Sequence, residues 1–156
     1  MPISVYIPQN GKYSALMAQA FQAWQKKSGG MVRFSYVRRP SEAQIYVDFV
    51  DYVKGCGSDN AVGCTHYNGR GGFFTQNYIE IGMKDVEIKR TSDGRIYKEE
   101  TTRPIDNIYG VMLHEIGHAI GLDHNSNPDS IMYFIDKPTL QYITDYDLKL
   151  IREKYN

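Results

Sequence analysis

"HEIGHAIGLDH", residues 114–124, holds three of the four histidines in a chain of 156 residues. His114 and His118 are four apart, so on a helix they project from one face, one turn apart, and two imidazoles can reach one ion. Glu115 sits beside the first of them, offset around the helix, where it can reach a water on the metal without being a ligand. Gly121 follows three residues after His118. A glycine there can end the helix in a left-handed conformation, and that turn would bring His124 back to the same ion. On a continued helix His124 would point away. Gly117 stands in mid-helix, where glycine costs about 1 kcal/mol against alanine, so the sequence is keeping space at that point.

Three histidines with no obvious fourth protein ligand predict an open coordination position, the mark of a catalytic zinc rather than a structural one. Water there is acidified toward neutral pH. Glu115 would take its proton and hand it to the leaving amine, while the metal polarises the scissile carbonyl. The competing reading is a helix whose histidines are merely solvated or hydrogen-bonded. That would serve for a lone histidine, but not for this spacing with its glutamate, its glycine and its third histidine.

Outward from this stretch, the first half of the chain alternates. Ile3, Val5 and Ile7 face one way in "ISVYI", a strand ended by Pro8. "YSALMAQAFQAWQKK" changes period: Met17, Phe21 and Trp24 form one stripe with Leu16, Ala20 and Ala23 beside it, an amphipathic helix stopped by Gly29 and Gly30. Two further strands are predicted, "VRFSYV" with Val32, Phe34 and Tyr36 on one face, and "IYVDFV" with Ile45, Val47 and Phe49 on one face. Residues 51–77 read as a glycine-rich polar stretch with a short strand in "AVGCTHY", followed by a strand in "NYIEIGM". The charged run 84–104 contains Asp93-Gly94, a hairpin-turn signal, and reads as an exposed hairpin with no chemical role. Helical patterning returns over 106–122 and 144–155, the last helix opening with Thr144 and Asp147 in capping-box spacing and burying Leu148 and Ile151. The pattern predicts one α+β domain over 1–156: a small twisted mixed sheet with a helix packed on it, an active-site helix and a C-terminal helix.

Lysine plus arginine equals aspartate plus glutamate, 18 against 18. That balance gives no support for a nucleic-acid partner. No apolar run approaches the roughly 18 residues of a membrane span, so no membrane insertion is expected. The opening "MPISVYIPQN" lacks the basic and apolar regions of a signal peptide, as a mature or trimmed chain would. Cys56 and Cys64 lie eight positions apart among glycines. A disulfide there would fit an oxidising compartment, and two reduced thiols in a flexible segment is the alternative.

"HEIGHAIGLDH" is similar to the long zinc motif of the metzincin metallopeptidases, and Met132 in "SIMY", eight residues after His124, resembles their Met-turn methionine. Among metzincins the chain most resembles the matrixins. "YSALMAQAFQAWQKKSGGMVRFSYV" resembles their first helix and the strand after it, "SEAQIYVDF" their next strand, and "DYDLKLIREKY" their closing helix.

The resemblance implies a metzincin-like zincin catalytic domain, a metalloendopeptidase with His114, His118 and His124 on one catalytic Zn2+ and Glu115 as general base. It also implies a peptide or protein substrate, a monomer and secretion. "AVGCTHY" would be the upper edge strand of the cleft, with Val62, Gly63 and Cys64 binding an extended peptide. The segment 134–143 would line the primed-side pocket, with Tyr133 and Phe134 at the substrate. The chain departs from the pattern in places. Asn125 follows the third histidine, and Phe134 stands where matrixins carry proline. Tyr133 follows Met132 directly and is not expected to be a fifth ligand. The matrixin loop for a second zinc and for Ca2+ is not recognisable within 51–77, so no motif supports calcium. His66 reads as a lone exposed histidine or a remnant of that second site.

Two other classes of function are open. One is a catalytically silent, zinc-containing protein-binding module on the same fold, from which the presence of Glu115 discriminates. The other is a zinc-storage protein, which needs a fourth protein ligand; Asp123 is the nearest candidate.

Overall fold

The computed structural model describes residues 1–56, 61–70, 73–134 and 140–155. The elements run β1 (Ile3–Tyr6), α1 (Lys12–Lys27), β2 (Phe34–Tyr36), a 3-10 turn at Pro40–Glu42, β3 (Ile45–Val50), β4 (Gly63–Arg70), β5 (Phe73–Gly82), β6 (Lys84–Arg90), β7 (Ile96–Thr102), α2 (Ile105–Ala119) and α3 (Asp145–Tyr155). Five strands form a twisted mixed sheet in the order β2-β1-β3-β5-β4. All its pairs are parallel except the last, where β4 returns antiparallel to β5.

Alternation along the strands decides which face is covered. Val5, Ile45, Val47, Ile79 and Ile81 are fully or almost fully buried under the helices, each contributing about 1.5–3 kcal/mol of transfer free energy. The predicted stripe of α1 meets them: Met17, Ala20, Phe21 and Trp24 are all buried. Trp24 also donates its indole N–H to the backbone oxygen of Leu113 at 3.0 Å, which ties α1 to α2. Helix α1 closes with Gly29 at φ +63°, where Gly29 N–H donates to Lys26 O and Gly30 N–H to Gln25 O. Those are the paired bonds of a glycine C-cap.

The structure departs from the sequence pattern in four places. Strand β2 is only three residues long, and Tyr36 at its end is 54% exposed on the sheet edge rather than sharing a buried face with Val32. Strands β4 and β5 extend through much of the segment that reads as polar loop. They pair from Gly63↔Ile81 to Arg70↔Phe73, with a register shift between Asn68 and Gly69. An edge hairpin needs backbone pairing more than apolar side chains, and the bulge absorbs the glycine. Helix α2 ends at Ala119, three residues before the predicted end. In α3, Ile151 is buried as expected, but Leu148 is only half-buried and the second fully buried residue is Asp147.

The charged run forms the expected hairpin, β6 against β7 as a separate two-stranded sheet, with Gly94 at φ +86° in the turn.

Cys56 and Cys64 are joined as a disulfide across a Cα–Cα distance of 6.1 Å. Closing a loop this short restricts the unfolded chain by about 2–3 kcal/mol. The double replacement Cys56→Ser/Cys64→Ser is therefore expected to lower the unfolding free energy by about that amount in urea titrations. An unchanged midpoint would mean that the loop is held without the bond.

Candidate metal centre and active site

Helix α2 carries the first two histidines, their ring centroids 4.8 Å apart. It stops where the third is needed. Gly121, at φ +103°, donates to His118 O, and Leu122 donates to Gly117 O, both at 2.9 Å. This glycine close turns the chain back and sets the His124 ring 4.6 Å from that of His118 and 5.0 Å from that of His114. One ligating nitrogen from each ring lies within 4.8 Å of the others, and among the described residues this is the one cluster of metal-binding side chains. The exposed Asp123 is not part of it.

Two of the rings are oriented from behind. His114 Nδ1 lies 2.6 Å from Ile131 O and His118 Nδ1 lies 2.8 Å from Leu122 O. A carbonyl can only accept, so each Nδ1 carries the hydrogen and each Nε2 lone pair is turned toward the cluster. Burial pushes the His114 imidazolium down to about 4, with His118 and His124 adding to the effect against the opposing bond to Ile131. Burial lowers His118 as well. Both rings are thus neutral at neutral pH, the form that ligates. Three convergent imidazoles, two of them oriented by backbone oxygens and with no carboxylate among them, fit a zinc ion that keeps one position open.

Glu115 is 5% exposed. Thr65 Oγ1 lies 2.9 Å from its Oε2, to which the hydroxyl donates, and 3.0 Å from its backbone oxygen. Tyr67, two residues further along β4, donates from its hydroxyl to His118 O at 2.9 Å. Burial and then the carboxylates of Glu115 and Asp123 push that phenol up to about 12. Gly63 begins the same face of the strand. A β-carbon there would stand 2.6 Å from Val111 Cγ1 and 2.8 Å from Glu115 Cγ, so glycine lets β4 lie directly on α2. Thr65 and Tyr67 carry no motif of their own in the sequence. The signal was present, because period-two alternation from Gly63 puts both on the face that meets the helix.

Met132 has no exposed surface and packs against helix α2 at Gly117, next to His118 in sequence. It fills the space that Gly117 leaves: a β-carbon on Gly117 would collide with Met132 Sδ and stand 3.2 Å from its Cε and 3.3 Å from Trp24 Cζ2. Helix propensity favours Gly117→Ala by about 1 kcal/mol, whereas overpacking costs about 1–3 kcal/mol. The collision is with buried side chains on two sides, so Gly117→Ala is expected to destabilise the protein by about 1–2 kcal/mol net, measured by thermal or urea unfolding. A more stable variant would mean that Met132 has room to move.

Asn125 explains itself as a clamp on the methionine turn. Its N–H donates to Met132 O at 3.0 Å, its carbonyl accepts from Phe134 N–H at 3.1 Å, and its side chain donates to Ser130 Oγ at 2.9 Å. From the other side the buried carboxylate of Asp147 accepts from Ser130 Oγ (2.5 Å), Ile131 N–H (3.0 Å), Thr144 N–H (2.9 Å) and Thr144 Oγ1 (2.8 Å). Asp147 was expected only as a capping partner. It also holds the N–H of Ile131, the residue whose backbone oxygen orients His114.

These residues open onto a cleft of about 210 Å³. Its lining includes the three histidines, Glu115, Val62, Gly63, Cys64 and Phe134. Tyr133 is not part of that lining and packs edge-on against Phe134 at 4.9 Å. Of the segment 134–143, residues 135–139 lie outside those described. His66 is neither lone nor fully exposed. Its ring stacks on Tyr78 at 5.4 Å, and its Nε2 lies 2.7 Å from Glu80 Oε1 on the sheet face away from the cleft.

A family model for matrixin matches residues 4–156. The chain belongs to the matrixin family. Matrixins are zinc-dependent peptidases, and the His114, His118 and His124 group could bind that zinc ion. The chain is 31% identical over 121 residues to "Probable matrix metalloproteinase 095L" of Invertebrate iridescent virus 3, an alignment covering 76% of this chain and 30% of that protein. It is 29% identical over 137 residues to matrix metalloproteinase-15 of Homo sapiens, covering 83% and 19% respectively. This matrixin chain therefore spans less than a third of the length of either relative. The solved structure of myroilysin shares the fold, at a TM-score of 0.55 and 14% identity over 99% of this chain and 92% of that one. None of the described helices is long and apolar enough to cross a membrane.

Proposed function

We propose that residues 1–156 form a single metallopeptidase catalytic domain, a secreted, monomeric zinc endopeptidase that cuts peptide bonds in extended polypeptides. Three convergent imidazoles and a buried glutamate on one cleft carry this reading. Zinc held by His114, His118 and His124 supplies Lewis acidity, lowering the pKa of water and polarising a carbonyl. Glu115 accepts the proton of the attacking water and delivers it to the leaving nitrogen. Thr65 fixes one oxygen of that carboxylate, so the base is aimed before substrate arrives. Met132, clamped by Asn125 and Asp147, fixes the floor under the ligands. Strand β4 is last in the sheet order, so its outer edge can pair with an extended peptide. Val62, Gly63 and Cys64 set the position of that peptide's backbone, and Phe134 faces it across the cleft.

The test is to incubate the zinc-loaded protein, and the same protein stripped by a chelator, with an unbiased peptide mixture and to map the cuts by mass spectrometry. Cuts by the loaded form that vanish on stripping and return with zinc support the reading. A zinc-loaded protein that cuts nothing would sink it.

A further inference from the structure

The β6–β7 hairpin has no part in the chemistry above, yet it is tied to the edge of the cleft. At its base Met83 N–H donates to Val50 O and Arg103 N–H to Met83 O. The Arg103 side chain, 3% exposed, donates to Gly82 O at 2.7 Å and to Val62 O at 3.3 Å. Val62 is a cleft residue, so one buried guanidinium holds the cleft edge and the hairpin root together.

The pairing register Val86↔Glu100, Ile88↔Lys98 and Arg90↔Ile96 places Val86, Ile88 and Ile96 on one face. They are 48%, 74% and 64% exposed, an aliphatic row that nothing in the described chain covers. On that face Tyr52 donates to Glu100 at 2.6 Å and Lys84 pairs with the same carboxylate at 2.7 Å, while Arg90 and Lys98 stand exposed beside the two isoleucines. A second cavity, about 160 Å³, joins the hairpin to the cleft: it is lined by Tyr52, Lys84 and Val86, and by Ala61 and Val62, which also line the cleft. The surface is thus continuous from the histidine cluster across Val62 to Val86 and on to Ile88.

We propose that this face is a second substrate-docking surface, which binds an aliphatic segment with acidic flanks in the same polypeptide whose peptide bond lies in the cleft. The proposal rests on the endopeptidase reading. Continuity with the cleft assigns the occupant to the substrate, the aliphatic row selects apolar side chains, and Arg90 and Lys98 select the flanking carboxylates. Three exposed aliphatics in a row also form the kind of patch that a soluble protein keeps for a partner.

The experiment compares the zinc-loaded protein with the triple variant Val86→Thr/Ile88→Thr/Ile96→Thr, which keeps β-branched residues throughout and so keeps the hairpin. Each is given a short peptide that fills only the cleft, and the same peptide extended at one end or the other by an Asp-Ile-Val-Ile-Asp arm. The wild type is expected to cut the peptide armed at one end with a KM about tenfold below that of the short peptide. The variant should cut all three alike, with its kcat on the short peptide unchanged.

A wild type indifferent to both arms, or a variant that keeps the preference, overturns the docking surface while cleavage of the short peptide leaves the endopeptidase reading standing. Failure of the wild type to cut the short peptide overturns both. Sedimentation of both proteins tests the rival occupant: self-association of the wild type that the variant loses would assign the face to a second copy of the chain and remove it from substrate binding.

Discussion

Glu115→Gln is expected to lower kcat/KM for peptide cleavage by about three orders of magnitude while zinc binding is retained. Glutamine keeps the shape of the side chain and can still accept from the Thr65 hydroxyl that lies 2.9 Å from Oε2. What it loses is the ability to take a proton. The side chain is 5% exposed, so bulk water has little room to stand in for it. Because the neighbouring imidazoles are oriented by backbone carbonyls and not by Glu115, zinc content should be the same in both proteins by atomic absorption. The check is kcat/KM on a peptide cut by the wild type. A variant retaining a tenth or more of the activity would show that another group moves the proton.

Asp147→Ala is expected to cause the largest loss of stability, about 3–5 kcal/mol. The carboxylate has no exposed surface and accepts from four donors. Ser130 and Thr144 hydroxyls can turn to other partners, but the N–H groups of Ile131 and Thr144 cannot. Each buried orphan costs about 1–3 kcal/mol, and the lost side chain leaves a cavity as well. Against a total of about 5–15 kcal/mol for a domain, this is a large fraction. Asp147→Asn keeps the volume and one good acceptor, so its loss should be about half as great. Urea unfolding of both variants measures the pair. The alanine variant should also bind zinc more weakly, because Asp147 holds the N–H of Ile131, the residue whose backbone oxygen orients His114. Wild-type stability in Asp147→Ala would show that the methionine turn is held from elsewhere.

Helix α2, the close at Gly121 and the clustering of His114, His118 and His124 were legible because they follow from local rules: i, i+4 spacing, a left-handed glycine and the chain reversal it permits. The stripe of α1 was legible for the same reason, since one helix face must be apolar to be buried. Strands β4 and β5 were under-read, because an edge hairpin is specified by backbone pairing, which polar residues such as Asn68, Gln76 and Asn77 supply as well as any others. Asp147 caps with Thr144 as its spacing predicts, but its further partners, like those of Asn125, are hidden in the sequence for a different reason. A buried polar residue looks like a surface one in sequence, and only the arrangement of its partners, 16 and 17 residues away for Asp147, shows what satisfies it. Thr65 sits between the two cases: its strand face is periodic, but the glutamate it meets comes from a helix 50 residues later.

Trp24 is the chain's one indole. Its N–H rests on the backbone of the helix that carries the first two histidines, and its ring edge borders the space shared by Gly117 and Met132. The protein therefore carries its own optical gauge. Any shift of that helix on filling or emptying of the histidine cluster changes the surroundings of the only strong fluorophore, so metal titration can be followed by intrinsic emission, without a label or a substrate.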